Sequence, residues 1–215
     1  MQAQRLILVA AVVLALGFAW LRGAFVGMHP DNSASSSAQI AQAALQKATF
    51  AGGCFWSVEG GFDKLPGVIS TTSGYTGGHV STPTYEQVTR GGTGHAESVE
   101  IMFDPGVVSY DQLLDHYWHN IDPFVVHRQF CDVGEQYRPE IFIHSEEQRA
   151  AAESSRQRIQ SRFTQPILVK VTSVGAFYPA EGYHQDFQRT HPAQYGYYRW
   201  MCGRDARLRE IWGDS

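Results

Sequence analysis

The chain has 215 residues, 43% hydrophobic and 13% aromatic, with a formal charge of −4 at neutral pH. That length supports one sizeable core. The charge is small and evenly spread, and no stripe of Lys and Arg interleaves with aromatic rings, which excludes a nucleic-acid-binding surface.

At the N-terminus, Arg5 precedes an uninterrupted apolar run over residues 6–20. Such a run fits a signal-peptide core, or a short membrane anchor extended toward Met28. No convincing small-x-small cleavage site follows Trp20, and Ala24-Phe25-Val26 is a poor one. That favours an uncleaved anchor over a cut leader within residues 1–28. Either way the body of the chain is expected to be exported, as a periplasmic or inner-membrane-anchored domain. Residues 29–46, rich in Ser, Ala and Gln, read as a flexible linker. The folded domain is expected over 47–215, as a monomer.

Strand signals fall at 47–51, 68–75, 96–103, 140–144 and 167–174. The first ends in Gly52-Gly53-Cys54-Phe55-Trp56, and a helix is predicted over 57–64. This places Cys54 on a glycine-loosened strand-to-helix turn, where unpaired N–H groups and the helix dipole favour a thiolate. Phe55 and Trp56 can wall an apolar slot beside the sulfur. Ser109-Tyr110-Asp111-Gln112 has the form of a capping box, and Leu113, Leu114, Tyr117, Trp118 and Ile121 mark one face of the helix it starts. Ser145-Glu146-Glu147-Gln148 repeats the signal before a polar helix reaching Phe163. Strands alternating with helices imply an α+β domain with helices on a mixed sheet. Residues 76–95, 121–139 and most of 175–215 read as long loops, rich in Gly, Tyr and His, of the kind that carry function.

Strand alternation puts Glu97 on the same face as Val99, Ile101 and Phe103, and Glu100 on the other. A core-facing carboxyl resists ionising and is a ready general acid. Tyr85 and Tyr137, on glycine-rich loops, offer phenolic donors to a polar oxygen. Asp132 and His184 can complete a polar shell. His116 and His119 have metal-ligand spacing but no evident third ligand, so a solvated helix face is the better reading. Arg204, Arg207 and Arg209 read as a closing amphipathic turn. The three cysteines, Cys54, Cys131 and Cys202, cannot form a closed disulfide framework, and none has CxxC spacing. One reactive thiol with a partner that resolves it fits better.

With these residues in view, the chain resembles the A-type peptide-methionine sulfoxide reductases, which act on the S epimer. The matching segments are GGCFW (52–56), GYTGG (74–78), PTYEQV (83–88), GHAESVEIMFDP (94–105), DVGEQYR (132–138) and YHQDF (183–187). The resemblance implies a two-layer sandwich on a mixed, ferredoxin-like sheet, with long coil-rich loops and a coil-rich C-terminal tail. It assigns Cys54 as the nucleophile, Glu97 as the acid that protonates the sulfoxide oxygen, and Tyr85 and Tyr137 as hydrogen-bond donors. Phe55 and Trp56 would hold the S-methyl group, and Asp132 and His184 would line the pocket. A Cys54 sulfenic acid would condense with a second thiol, and a thioredoxin-like dithiol would reduce the disulfide, with no metal or organic cofactor. Cys202 is favoured as the resolving thiol because its tail reads as free to swing; Cys131, or direct reduction without a second cysteine, stays open. Substrates would be oxidised proteins or free methionine sulfoxide. Phe187 stands where a Tyr often follows HQD, with little loss expected.

The residues leave three rivals open: a Cys–His hydrolase with His184 as base, a thiol peroxidase, and a non-catalytic module that binds methionine side chains. The first gives no reason for a core-facing Glu97, the second none for an aromatic methyl-binding wall, and the third none for a thiolate.

Overall fold

The computed structural model describes residues 45–213. The leader and linker expected over 1–46 lie almost wholly outside the described residues. Six strands form the main sheet: β1 (Gln46–Gly52), β2 (Val68–Thr76), β3 (Ala96–Phe103), β6 (Pro139–Ile143), β7 (Lys170–Ser173) and β8 (Tyr178–Pro179). Their order is β7-β6-β1-β3-β2-β8, antiparallel throughout except for the parallel pair β6/β7. Two short strands, β4 (Arg128–Gln129) and β5 (Asp132–Val133), make a separate hairpin. The helices are α1 (Phe55–Phe62), α2 (Tyr85–Arg90), α3 (Tyr110–Trp118), α4 (Glu146–Gln160), α5 (Phe187–Thr190), α6 (Pro192–Met201) and α7 (Arg204–Trp212). The architecture is α+β with a mixed sheet, as expected.

β1 lies between β3 and β6, so both its edges are paired, and Thr49, Phe50 and Ala51 are fully buried. Phe50 stacks on Phe62 of α1 at 5.3 Å and on Tyr117 of α3 at 5.0 Å, which fixes both helices over one face of the sheet. Val99, Ile101, Leu113, Leu114, Trp118, Ile141, Ala152 and Ile159 complete that core. At about 1.5–3 kcal/mol for each buried large apolar side chain, this layer dominates the stability of the domain.

Several boundaries differ from the sequence reading, each for a local reason. Both halves of the capping box at Ser109 form, but at Ser145 only the serine half does. There the Gln148 Oε1 accepts from the N–H of His144 instead. α4 stops at Gln160, short of Phe163, because the Gln160 amide turns back to bind Phe163 O, Gln165 O and the N–H of Ile167. β7 is shorter than 167–174, since the N–H of Ile167 and Leu168 are already taken by Gln160 Oε1 and Pro123 O. The stretch 76–95 contains α2, begun by a Thr84–Gln87 capping box. The C-terminal tail is helical, not coil-rich: Pro192 opens α6, and Gly203, at φ +63°, turns the chain into α7. Among the described residues no helix is long and apolar enough to cross a membrane.

Candidate active site

β1 ends at Gly52 and the chain must reverse at once into α1. Gly53 makes the reversal at φ +91°, and a Cβ there would lie 2.6 Å from the Gln129 Cβ, so only glycine fits. Gln129 is itself fixed in the β4/β5 hairpin by two hydrogen bonds with the Asp122 backbone. Cys54 then takes the N-cap position of α1. Glu97, near the start of the adjacent β3, accepts the Phe55 N–H on Oε2 at 3.1 Å. The sulfur-bearing residue and the carboxyl therefore meet at one helix terminus.

Glu97 is 1% exposed, on the face shared with fully buried Val99, Ile101 and Phe103, as strand alternation predicts. Burial, aided by the charge of Asp132 and opposed by the Phe55 N–H, pushes its carboxyl up to about 8. It is a neutral acid at pH 7. Cys54 is 7% exposed, and burial pushes its thiol well above the usual range, with Glu97 and Asp132 adding to the rise. The Tyr198 hydroxyl and the Trp56 N–H oppose that rise. The thiolate expected from the helix dipole is thus overruled in this arrangement. A helix terminus contributes about 0.3–1 kcal/mol, far less than the cost of an ion in an apolar niche.

Aromatic rings surround the pair. Trp56 stacks face to face on Phe187 at 3.7 Å, so the missing hydroxyl at Phe187 leaves its packing role intact. The Trp56 Nε1–H donates to His184 Nδ1 at 3.1 Å. Because an indole N–H only donates, the histidine carries its ring proton on Nε2, which is buried and has no protein partner. Burial lowers the His184 pKa, so the ring is neutral. Phe55 is buried against Tyr75 and His184, so its ring is not an open wall. Tyr85 lies 4.3 Å from the His184 ring. Burial and the nearby Glu97 raise the Tyr85 phenol to about 12 and raise Tyr137 as well, so both stay protonated donors.

The structure adds residues that the sequence reading missed. Tyr198 of α6 donates to Asp132 Oδ2 at 2.5 Å and sets its ring edge-on to Trp56 at 6.0 Å, with its hydroxyl near enough to Cys54 to lower the thiol pKa. Its position four residues before Cys202 puts both on one helix face, a spacing that could have flagged it. Glu181 binds the Tyr75 hydroxyl and the Tyr85 N–H, tying two aromatic walls together. Arg204 opens a helix where an amphipathic turn was expected, and it is buried, donates to Asn120 O and lies 4.4 Å above the Phe130 ring. Cys202 sits at the end of α6 and is bonded to Cys131, with 4.9 Å between Cα atoms, so the free-swinging tail is a correction as well. Cys54 is free.

Comparison with known proteins meets this geometry. A family model described as peptide methionine sulfoxide reductase matches residues 46–215. The chain belongs to that family. Peptide methionine sulfoxide reductase MsrA of Bacillus licheniformis is 48% identical over 168 residues, covering 77% of this chain and 93% of that protein. The MsrA of Listeria innocua is 48% identical over 170 residues, covering 78% and 96%. Among solved structures, methionine sulfoxide reductase A of Corynebacterium diphtheriae superposes with a TM-score of 0.63 at 28% identity, over 69% of this chain and 76% of that one. Reduced Mxr1 from Saccharomyces cerevisiae superposes with a TM-score of 0.68 at 28% identity, over 70% and 88%. Of the residues singled out for a reductase of this family, Cys54, Phe55, Trp56, Glu97, Tyr85, Tyr137, Asp132 and His184 all fall in one neighbourhood.

Proposed function

We propose that this chain reduces methionine-S-sulfoxide, free or in oxidised proteins, with Cys54 as nucleophile and Glu97 as acid. The observation that carries the reading is the shared helix terminus: the carboxyl that accepts the Phe55 N–H is neutral at pH 7 and next to the only free cysteine among the described residues. Sulfoxide sulfur is a poor electrophile until its oxygen is protonated or strongly hydrogen-bonded. Glu97 supplies the proton, and Tyr85 and Tyr137 supply donors. Cys54 attacks sulfur, its own thiol proton replaces the one that Glu97 gave, and the oxygen stays on Cys54 as a sulfenic acid while the thioether leaves.

The return path uses both other cysteines. The Cys202 thiol condenses with the sulfenic acid, releasing water and forming a Cys54–Cys202 disulfide. The Cys131 thiolate then attacks Cys202 and releases Cys54. This ordering is supported by the end state it predicts, a Cys131–Cys202 bond with Cys54 free. An external thioredoxin-like dithiol completes the cycle. The apolar run over 6–20 supports placing this activity outside the inner membrane.

Turnover of methionine-S-sulfoxide with dithiothreitol tests the reading. Cys54→Ser is expected to abolish it, and Glu97→Gln to lower it about 10²–10³-fold, the usual scale for a lost general acid. Undiminished turnover in Cys54→Ser would refute it.

A further inference from the structure

The helix that carries Cys202 is oddly dressed. α6 buries none of its residues, and its Tyr198 and Cys202 sides are only half-covered. Its other side exposes three large apolar groups: Tyr197 is 63% exposed, Trp200 75% and Met201 60%. At spacings of three and four they share one stripe, with the Tyr197 and Trp200 rings 6.1 Å apart. Exposed aromatic and Met side chains gathered in one place mark contact surfaces, and Trp, Tyr and Met are enriched at such surfaces.

The stripe ends at a reactive bond. Met201 is followed directly by Cys202, whose sulfur is bonded to Cys131. Cys131 is itself solvent-exposed and stands in the hairpin two residues before Val133, which is 70% exposed. The disulfide thus joins two exposed apolar groups, one on α6 and one on the β4/β5 hairpin, with an accessible sulfur between them. A reductant must bring a thiolate in line with that bond, and a protein reductant must cover its surroundings to do so.

We propose that Tyr197, Trp200 and Met201, with Val133 across the disulfide, form the docking surface for a protein dithiol reductant of the thioredoxin type. The inference rests on the reductase cycle given above and adds the surface through which the cycle is closed. The reductant's first thiolate attacks Cys131 Sγ, breaking the bond and releasing the Cys202 thiolate. Its second thiolate then attacks the mixed disulfide, freeing Cys131 and leaving the reductant oxidised. Two electrons pass to this chain, and the two released thiolates take up protons from water.

The test compares two reductants on the full chain. With methionine-S-sulfoxide as substrate, wild type and the double variant Trp200→Gln, Met201→Gln are each driven by dithiothreitol, then by thioredoxin with its reductase and NADPH. The double variant is expected to lose about tenfold or more in kcat/KM for thioredoxin, the effect of removing interface anchors, and to keep its dithiothreitol rate within about twofold. An unchanged kcat/KM for thioredoxin overturns the surface. A wild-type chain without turnover on dithiothreitol overturns the reductase reading, and this inference with it. A second measurement does not depend on the variant's folding. Thioredoxin whose resolving cysteine is replaced by serine is trapped on wild type, and amide exchange is compared with the free chain. An adduct on Cys131 with slowed exchange over 197–201 supports the surface. An adduct without that protection, or a stable dimer of the free chain with 197–201 protected, overturns it.

Discussion

In the proposed reaction Glu97 acts through one property, its reluctance to ionise. Its carboxyl, raised from an ordinary value of 4.5 to about 8, is protonated below pH 8, where it can serve as the proposed donor, and ionised above it. The contribution of Glu97 to kcat/KM should therefore be full at pH 6–7 and decline through pH 8, and Glu97→Gln should lack that decline; a pH–rate profile of both proteins checks this. The same shift bears on stability. A folded-state pKa above the unfolded value means that the folded protein binds the proton more tightly, so stability falls as pH rises from about 4.5 to about 8. At pH 9 Glu97→Gln should thus be more stable than wild type, by as much as about 3–5 kcal/mol, in urea unfolding. Tyr198 acts the other way on Cys54, since its hydroxyl lowers the thiol pKa. Tyr198→Phe should slow thiol alkylation by iodoacetamide in the reduced enzyme, with a rise in the apparent thiol pKa. Glu97 was legible in the sequence because a period of two exposes a carboxyl on the wrong face. Tyr198 was harder to read, because only its spacing of four from Cys202 sets it apart from Tyr195 and Tyr197.

Among the elements, the start of α1 is the most constrained. Gly52 and Gly53 are both closed to side chains, the first by Ile121 at 2.9 Å and the second by Gln129 at 2.6 Å with positive φ. Gly53→Ala should cost about 2–4 kcal/mol, read by thermal unfolding, and should displace the β4/β5 hairpin that carries Asp132. The two glycines announced a special turn in the sequence, but not what pressed against it, since Gln129 is distant along the chain. At its far end α1 is tied to the tail by Glu59, a buried carboxyl whose Oε2 accepts the Asp186 N–H at 2.9 Å. Burial and the charges of Asp63 and Asp186 raise Glu59 to about 7. The helix that follows Cys54 and the segment from His184 into α5 are thereby linked. α2, begun by the Thr84–Gln87 capping box, lies in a stretch whose Gly, Tyr and His content read as a loop.

Across the folded domain, the central strands and the helices over them were readable from hydrophobic period and caps. The tail was not. α6 has an apolar stripe facing solvent and hardly any facing the core, so period alone does not announce a packed helix. The tail's hold on the domain comes from Tyr198 of α6, Arg204 of α7 and the Cys131–Cys202 bond, tertiary contacts with no local signature. That bond also lies next to the site: Asp132, adjacent to Cys131, accepts from the Tyr198 hydroxyl. Cys202→Ser should keep turnover with dithiothreitol, which reduces the sulfenic acid directly, yet lose about tenfold or more with thioredoxin, measured as steady-state NADPH oxidation.

The most direct test removes the return path and asks what Cys54 and Glu97 do alone. In Cys131→Ser, Cys202→Ser, one addition of methionine-S-sulfoxide without reductant should release one equivalent of methionine and leave a dimedone-trappable sulfenic acid on Cys54. Adding Glu97→Gln should slow that burst about 10²–10³-fold. Methionine release with no adduct on Cys54, or a burst that keeps its speed without the carboxylic acid, would contradict the account.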